Sequence, residues 1–188
     1  MKRGSLAVLA LVFSALLSQA QTSSNLLVDP SFEEWAGDPT SPRWAVFQNA
    51  YCVAVTARTR VFVTKIYGNF TSEQNYSGIW QDVPAGPGRE YVASAYLRQN
   101  VGDTLQGDDE AWLKLEFFDA GGKLVQVFES PRKMKAKDAA GKYVFFSTGP
   151  VASPPGTVTA RFVVIFGQGP DNAPGAVLVD DVLLMEVP

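Results

Sequence analysis

The segment GAVLVDDVLLMEV, from Gly175 to Val187, carries eight Val, Leu or Met residues among its thirteen. That is the composition of a strand with little water on either side. Two adjacent carboxylates, Asp180 and Asp181, interrupt it. Side chains alternate along a strand, so Val177, Val179, Asp181 and Leu183 are expected on one face and Leu178, Asp180, Val182 and Leu184 on the other. Whichever face is core, one carboxylate enters it. A buried carboxylate binds a cation, pairs with Lys or Arg, or accepts backbone hydrogen bonds, and a solvated edge is the remaining reading.

The rest of the chain, outward from this strand, is built in the same style. Short apolar runs are broken by Gly, Pro, Asn and Asp, and no stretch keeps a helical period for four turns. Strands are expected at 26–28, 43–48, 51–56, 60–67, 77–83, 90–98, 111–119, 123–129, 143–147, 158–166 and 176–185. Turn residues separate them at 84–88, 119–122, 153–156 and 169–175. About eleven strands at this spacing predict two packed antiparallel sheets, an all-β sandwich. Arg132, Lys133, Lys135 and Lys137 read as a solvated connection between two of the strands.

At the opposite end, Lys2 and Arg3, an apolar run from Leu6 to Leu17 and Ser18-Gln19-Ala20 have the order of a secretory signal peptide over 1–20. The run is too short to span a bilayer, so a soluble, secreted or periplasmic product of one domain, 21–188, is expected. Removing the peptide leaves 14 of the 16 basic residues against 19 acidic ones, a net charge of about −5. Without a basic stripe, nucleic acid and anionic membrane are not the expected partners.

The sequence has no histidine and one cysteine, Cys52. Ser-His-Asp and Cys-His nucleophiles, His-bearing and thiolate zinc sites and an internal disulfide are thereby excluded. Oxygen ligation remains, which suits calcium. Cys52 is expected as a small core residue.

Several strands set polar or aromatic residues opposite an aliphatic face. Ser94, Tyr96 and Arg98 oppose Tyr91, Ala93, Ala95 and Leu97; Trp112, Lys114, Glu116 and Phe118 oppose Leu113, Leu115 and Phe117; and Trp80 alternates with Ile79 and Gln81. Aromatic faces meet the apolar C–H face of a sugar ring, and charged or amide groups bind hydroxyls, so such a surface suits a carbohydrate. The plain alternative makes these aromatics a second apolar layer under long loops.

The opening NLLVDPSFEEW (25–35), the central KIYGNF and SGIWQDVPAGPGREYVASAYLRQN (within 65–100) and the closing VLVDDVLL resemble the jelly-roll carbohydrate-binding modules of the cellulose- and xylan-binding kind, within the galactose-binding-like β-sandwiches. The resemblance implies a non-catalytic domain that holds a polysaccharide or oligosaccharide. It also implies a structural calcium between the chain ends, held by Glu33 and Asp180. The family usually has Gly and Ser before the KIYGN strand, whereas this chain has Ala57-Arg58-Thr59-Arg60, so Arg58 or Arg60 can stand in for the metal. Carried over, the sugar site on the concave sheet face comprises Trp80, Gln81, Tyr96, Arg98, Trp112 and Glu116, with Tyr76 and Trp44 at an edge. Two other functions compete. One is a glycoside hydrolase using a carboxylate pair such as Glu33 with Asp180 or Glu110 with Glu116; the other is an envelope or protein-interaction sandwich.

Overall fold

Eleven strands form among the residues described by the computed structural model, which are 24–36, 38 and 40–188. The expected signal peptide lies outside them. The strands are β1 (Ala45–Phe47), β2 (Ala50–Val53), β3 (Val63–Tyr67), β4 (Asn75–Pro84), β5 (Glu90–Gln99), β6 (Glu110–Asp119), β7 (Leu124–Glu129), β8 (Met134–Lys135), β9 (Val144–Ala152), β10 (Thr157–Gln168) and β11 (Ala176–Val187). One sheet has six strands in the order β1-β4-β10-β6-β7, with β8 beside β6, and the other has five in the order β2-β3-β11-β5-β9. All pairings are antiparallel. This is the jelly-roll sandwich expected from the sequence.

The alternating apolar residues explain the packing. Ile79, Leu113, Leu115, Phe117, Phe162, Val164 and Phe166 from the six-stranded sheet meet Ile66, Ala93, Ala95, Leu97, Val177, Val179, Val182 and Leu184 from the five-stranded one. Burying each large side chain contributes roughly 1.5–3 kcal/mol, so this layer is the main source of stability. Cys52 packs against its margin, and burial pushes its thiol up to about 11.

Two strand assignments shift. Residues 26–28 form no strand, because Asp29 and Phe32 adopt positive φ (52° and 62°) and turn the chain into a 3₁₀ turn, Glu33–Trp35. Asn25 instead ties this segment to β11, its side-chain amide donating to the Val182 carbonyl and its oxygen accepting the Leu184 N–H. The short β8, inside the basic run, pairs with Glu110 and Ala111.

β11 departs from simple alternation. Asp180 lies opposite Tyr96 and Leu183 opposite Ser94, with a register shift between them, and Asp181 takes φ 47°. The bulge resets the phase of the strand. Val177 and Val179 face the core before it, and Val182 and Leu184 face the core after it. Neither carboxylate therefore enters the sandwich, contrary to the expectation from strict alternation. Asp180 lies on the outer face of the five-stranded sheet, yet it is completely buried there.

Candidate functional site

The cover over Asp180 is the segment 56–62 of the loop that joins β2 to β3. Asp180 Oδ2 accepts the N–H groups of Arg58 (2.7 Å) and Thr59 (3.0 Å), and Oδ1 accepts the Asp181 N–H (2.8 Å). Glu33, on the 3₁₀ turn, accepts the N–H groups of Val61 (3.1 Å) and Phe62 (3.0 Å) on one oxygen. Glu33 and Asp180 thus clamp one loop from opposite ends of the chain. Asp181 binds the Arg58 guanidinium and the Thr59 hydroxyl.

Calcium requires six to eight oxygen ligands. Here N–H donors fill one oxygen of Glu33 and both oxygens of Asp180, and a guanidinium pairs with the adjacent Asp181. So arranged, Glu33 and Asp180 do not fit a calcium. Among the described residues, no group of three or more His, Cys, Asp or Glu is arranged to hold a metal ion.

The six residues expected to form one sugar-binding face do not share a face. Tyr96 and Arg98 lie on the outer face of the five-stranded sheet, beside Asp180 and Leu178 across β11. Arg58 stacks on the Tyr96 ring at 3.6 Å, and Arg98 donates to the Thr56 carbonyl (3.0 Å), so the 56–62 loop occupies both. Gln81 turns inward. Its amide spans the Val28 N–H and the Val28 and Arg43 carbonyls at 2.7–3.1 Å, fastening the N-terminal segment. Trp44, the proposed edge residue, is 3% exposed in the core and donates to the Asp29 carbonyl.

Trp80, Trp112, Glu116 and Tyr76 do share the outer face of the six-stranded sheet. Trp80, Val163, Ile165, Trp112 and Phe47 form an apolar patch there. Arg161 caps this patch, 3.7 Å from the Trp80 ring and 4.7 Å from Phe118, held by both oxygens of Asp82 (2.7 and 2.9 Å). Glu116 lies opposite Arg161; burial pushes its carboxyl above the usual range, while Lys114 and Arg161 pull it back.

Further along the same face opens a cleft of about 430 Å³, lined by Gln74, Tyr76, Asp108, Glu110, Trp112, Lys114, Glu129, Lys133 and Ile165. It crosses four neighbouring strands: Tyr76 comes from β4, Ile165 from β10, Trp112 and Lys114 from β6, and Glu129 from β7. Gly167 permits its floor. A Cβ there would lie 3.2 Å from both Tyr76 and Trp112, whose rings meet edge to face at 6.2 Å. Tyr76 is 46% exposed, but Trp112 is only 4% exposed. Val163, Ile165 and Lys133 share in covering Trp112, the Lys133 ammonium lying 3.9 Å over the indole and binding Glu110. Lys135 also reaches Glu110 (3.3 Å), and Lys114 pairs with Glu129 (3.5 Å).

Sequence reasoning placed Tyr76 outside a strand because β4 was expected to begin at Ser77. The alternation Tyr76, Gly78, Trp80 extends two residues further back and marks it. Glu129 and Lys133 carry no such signal, since only strand pairing and the β7–β8 connection bring them to Trp112. The basic run is accordingly not a purely solvated connection. The Glu110–Glu116 hydrolase pairing is not supported: the two are six residues apart on one strand, about 20 Å, beyond the 5–10 Å that a glycosidase pair needs.

No protein-family model matches the sequence, and no curated protein does. Solved structures do. A carbohydrate-binding module, TmCBM61, solved with β-1,4-galactotriose, aligns with TM-score 0.58 and 16% identity over 88% of this chain and 100% of that one. The CBM22-1 xylan-binding domain of Paenibacillus barcinonensis Xyn10C aligns with TM-score 0.57 and 16% identity over 88% and 96%. The enzymatically active domain of bacteriophage CBA120 tailspike protein 4 aligns with TM-score 0.61 and 10% identity over 87% of this chain but 21% of that one. The chain thus has the jelly-roll β-sandwich fold found in carbohydrate-binding modules.

Proposed function

We propose that this chain is a secreted, non-catalytic module that binds a neutral polysaccharide in the cleft beside Tyr76. The observation that carries this reading is the cleft itself: an exposed tyrosine at its rim, amide and carboxylate groups along its walls, and a path across four strands. A tyrosine ring offers an apolar plane to the C–H face of a sugar, and Gln74, Asp108 and Glu129 offer hydrogen bonds to its hydroxyls. The fold it shares with binding modules supports the reading, as does the order of signal-peptide features over 1–20 for secretion.

Charge selects the ligand class. Lys133 and Lys114 are each paired with a glutamate, and Asp108 adds an unmatched negative charge to the lining. A uronate or sulfated polymer would find both lining lysines already paired, in a chain that is itself acidic, so a neutral backbone is favoured. Affinity electrophoresis through gels containing galactan, xylan, β-glucan or pectic acid tests this. Retardation by at least one neutral polymer and none by pectic acid is expected. Free migration in every gel would overturn it, and association with a protein partner without glycan would favour the interaction-protein reading.

A further inference from the structure

The clamp between the chain ends has its own cation. We infer that the joint which the resemblance assigns to calcium is closed without metal by Arg58, on a loop whose backbone N–H groups take the places of metal-directed contacts. The inference rests on the kind of atom facing each carboxylate. Three N–H groups converge on Asp180 and two on Glu33, and N–H groups are donors that repel a cation. Placing a metal between these carboxylates requires the loop to leave.

The loop is held against leaving at every step. Its start, Thr56, has a carbonyl that accepts from Arg98 and from the Tyr143 hydroxyl, both at 3.0 Å. Its middle is held through Arg58, which pairs with Asp181 and lies 3.6 Å over the Tyr96 ring. Its end is held by Glu33. A guanidinium is suited to this double role, since its plane stacks on an aromatic ring while its N–H groups meet a carboxylate. The Asp181 bulge belongs to the same device: the Asp181 N–H donates to Asp180, and the residue, at φ 47°, sets its carboxylate against Arg58 and Thr59. The sequence departure at 57–60 thus becomes a substitution of function, an internal cation for a bound one.

This inference is independent of any glycan. Thermal unfolding of the full chain is measured after chelator treatment and again with millimolar calcium chloride, alongside calorimetric calcium titration. The expected result is a melting temperature that agrees within about 1 °C in both conditions and no calcium-binding heat. Arg58→Ala should melt about 4 °C or more lower, and Arg58→Lys, which keeps charge but loses the planar stack, should fall between. A chelator-dependent loss of melting temperature, one equivalent of bound calcium, or Arg58→Ala melting like the parent would each overturn it.

Discussion

Lys133 lies 3.9 Å over the Trp112 indole, in the wall of the proposed binding cleft. Trp35, Trp44 and Trp112 are each at most 4% exposed, which leaves Trp80 as the partly accessible indole of the four. Lys133→Ala should uncover Trp112, raising the quenchable indoles from one to two in an acrylamide titration; an unchanged quenching curve would show that something else covers the ring. Asp109, just behind the cleft wall residue Asp108, is a second position with a measurable signature. It is 1% exposed, one oxygen has no partner, and burial raises its carboxyl to about 6, with Asp171 and Asp108 adding to the rise and the Gly169 N–H opposing it. The folded chain therefore holds this proton more tightly than the unfolded one. The associated stability is present below about pH 4 and lost as pH rises through about 6, up to about 3 kcal/mol. Urea melts of Asp109→Asn and the parent should differ most above pH 6, with the variant the more stable there; a difference independent of pH would remove this account.

At the scale of the element, β11 shows why two adjacent aspartates are not equivalent. Asp180→Ala strands three part-buried N–H groups and should cost about 3 kcal/mol. Asp181→Ala removes a partly exposed pair with Arg58 and a hydroxyl contact, and should cost about 1 kcal/mol. Denaturant unfolding at neutral pH compares the two, and equal losses would contradict the assignment of the clamp to Asp180. Ten of the eleven strands were legible from alternation and turn residues, since each needs only its own apolar face. What alternation could not show was the bulge at Asp181, which depends on the β2–β3 loop arriving from over a hundred residues away. For the same reason Gln81, which obeys the alternation, was mistaken for a surface group: its partners are backbone atoms of the N-terminal segment. Sugar-site legibility stopped at the level of the strand, because sequence cannot say which strands share a sheet. Tyr96 and Trp112 follow the same pattern and lie on opposite sides of the molecule.

The whole molecule divides its work between its two outer faces. The five-stranded sheet is covered around Asp180 by a loop that joins the chain ends, and Tyr96 and Arg98 are used in that cover. On the six-stranded sheet, Arg161 caps the patch around Trp80, and the Tyr76 cleft lies open beside it. The clamp and the proposed binding cleft thereby fall on different sheets, so a change in one should leave the other intact. The most direct test of the central claim is the Kd of the parent and of Tyr76→Ala for the neutral polysaccharide that retards the parent most, with melting temperatures measured in parallel. Binding at least about tenfold weaker at an unchanged melting temperature is predicted. Equal affinity in the two proteins would contradict the assignment of the ligand to this cleft.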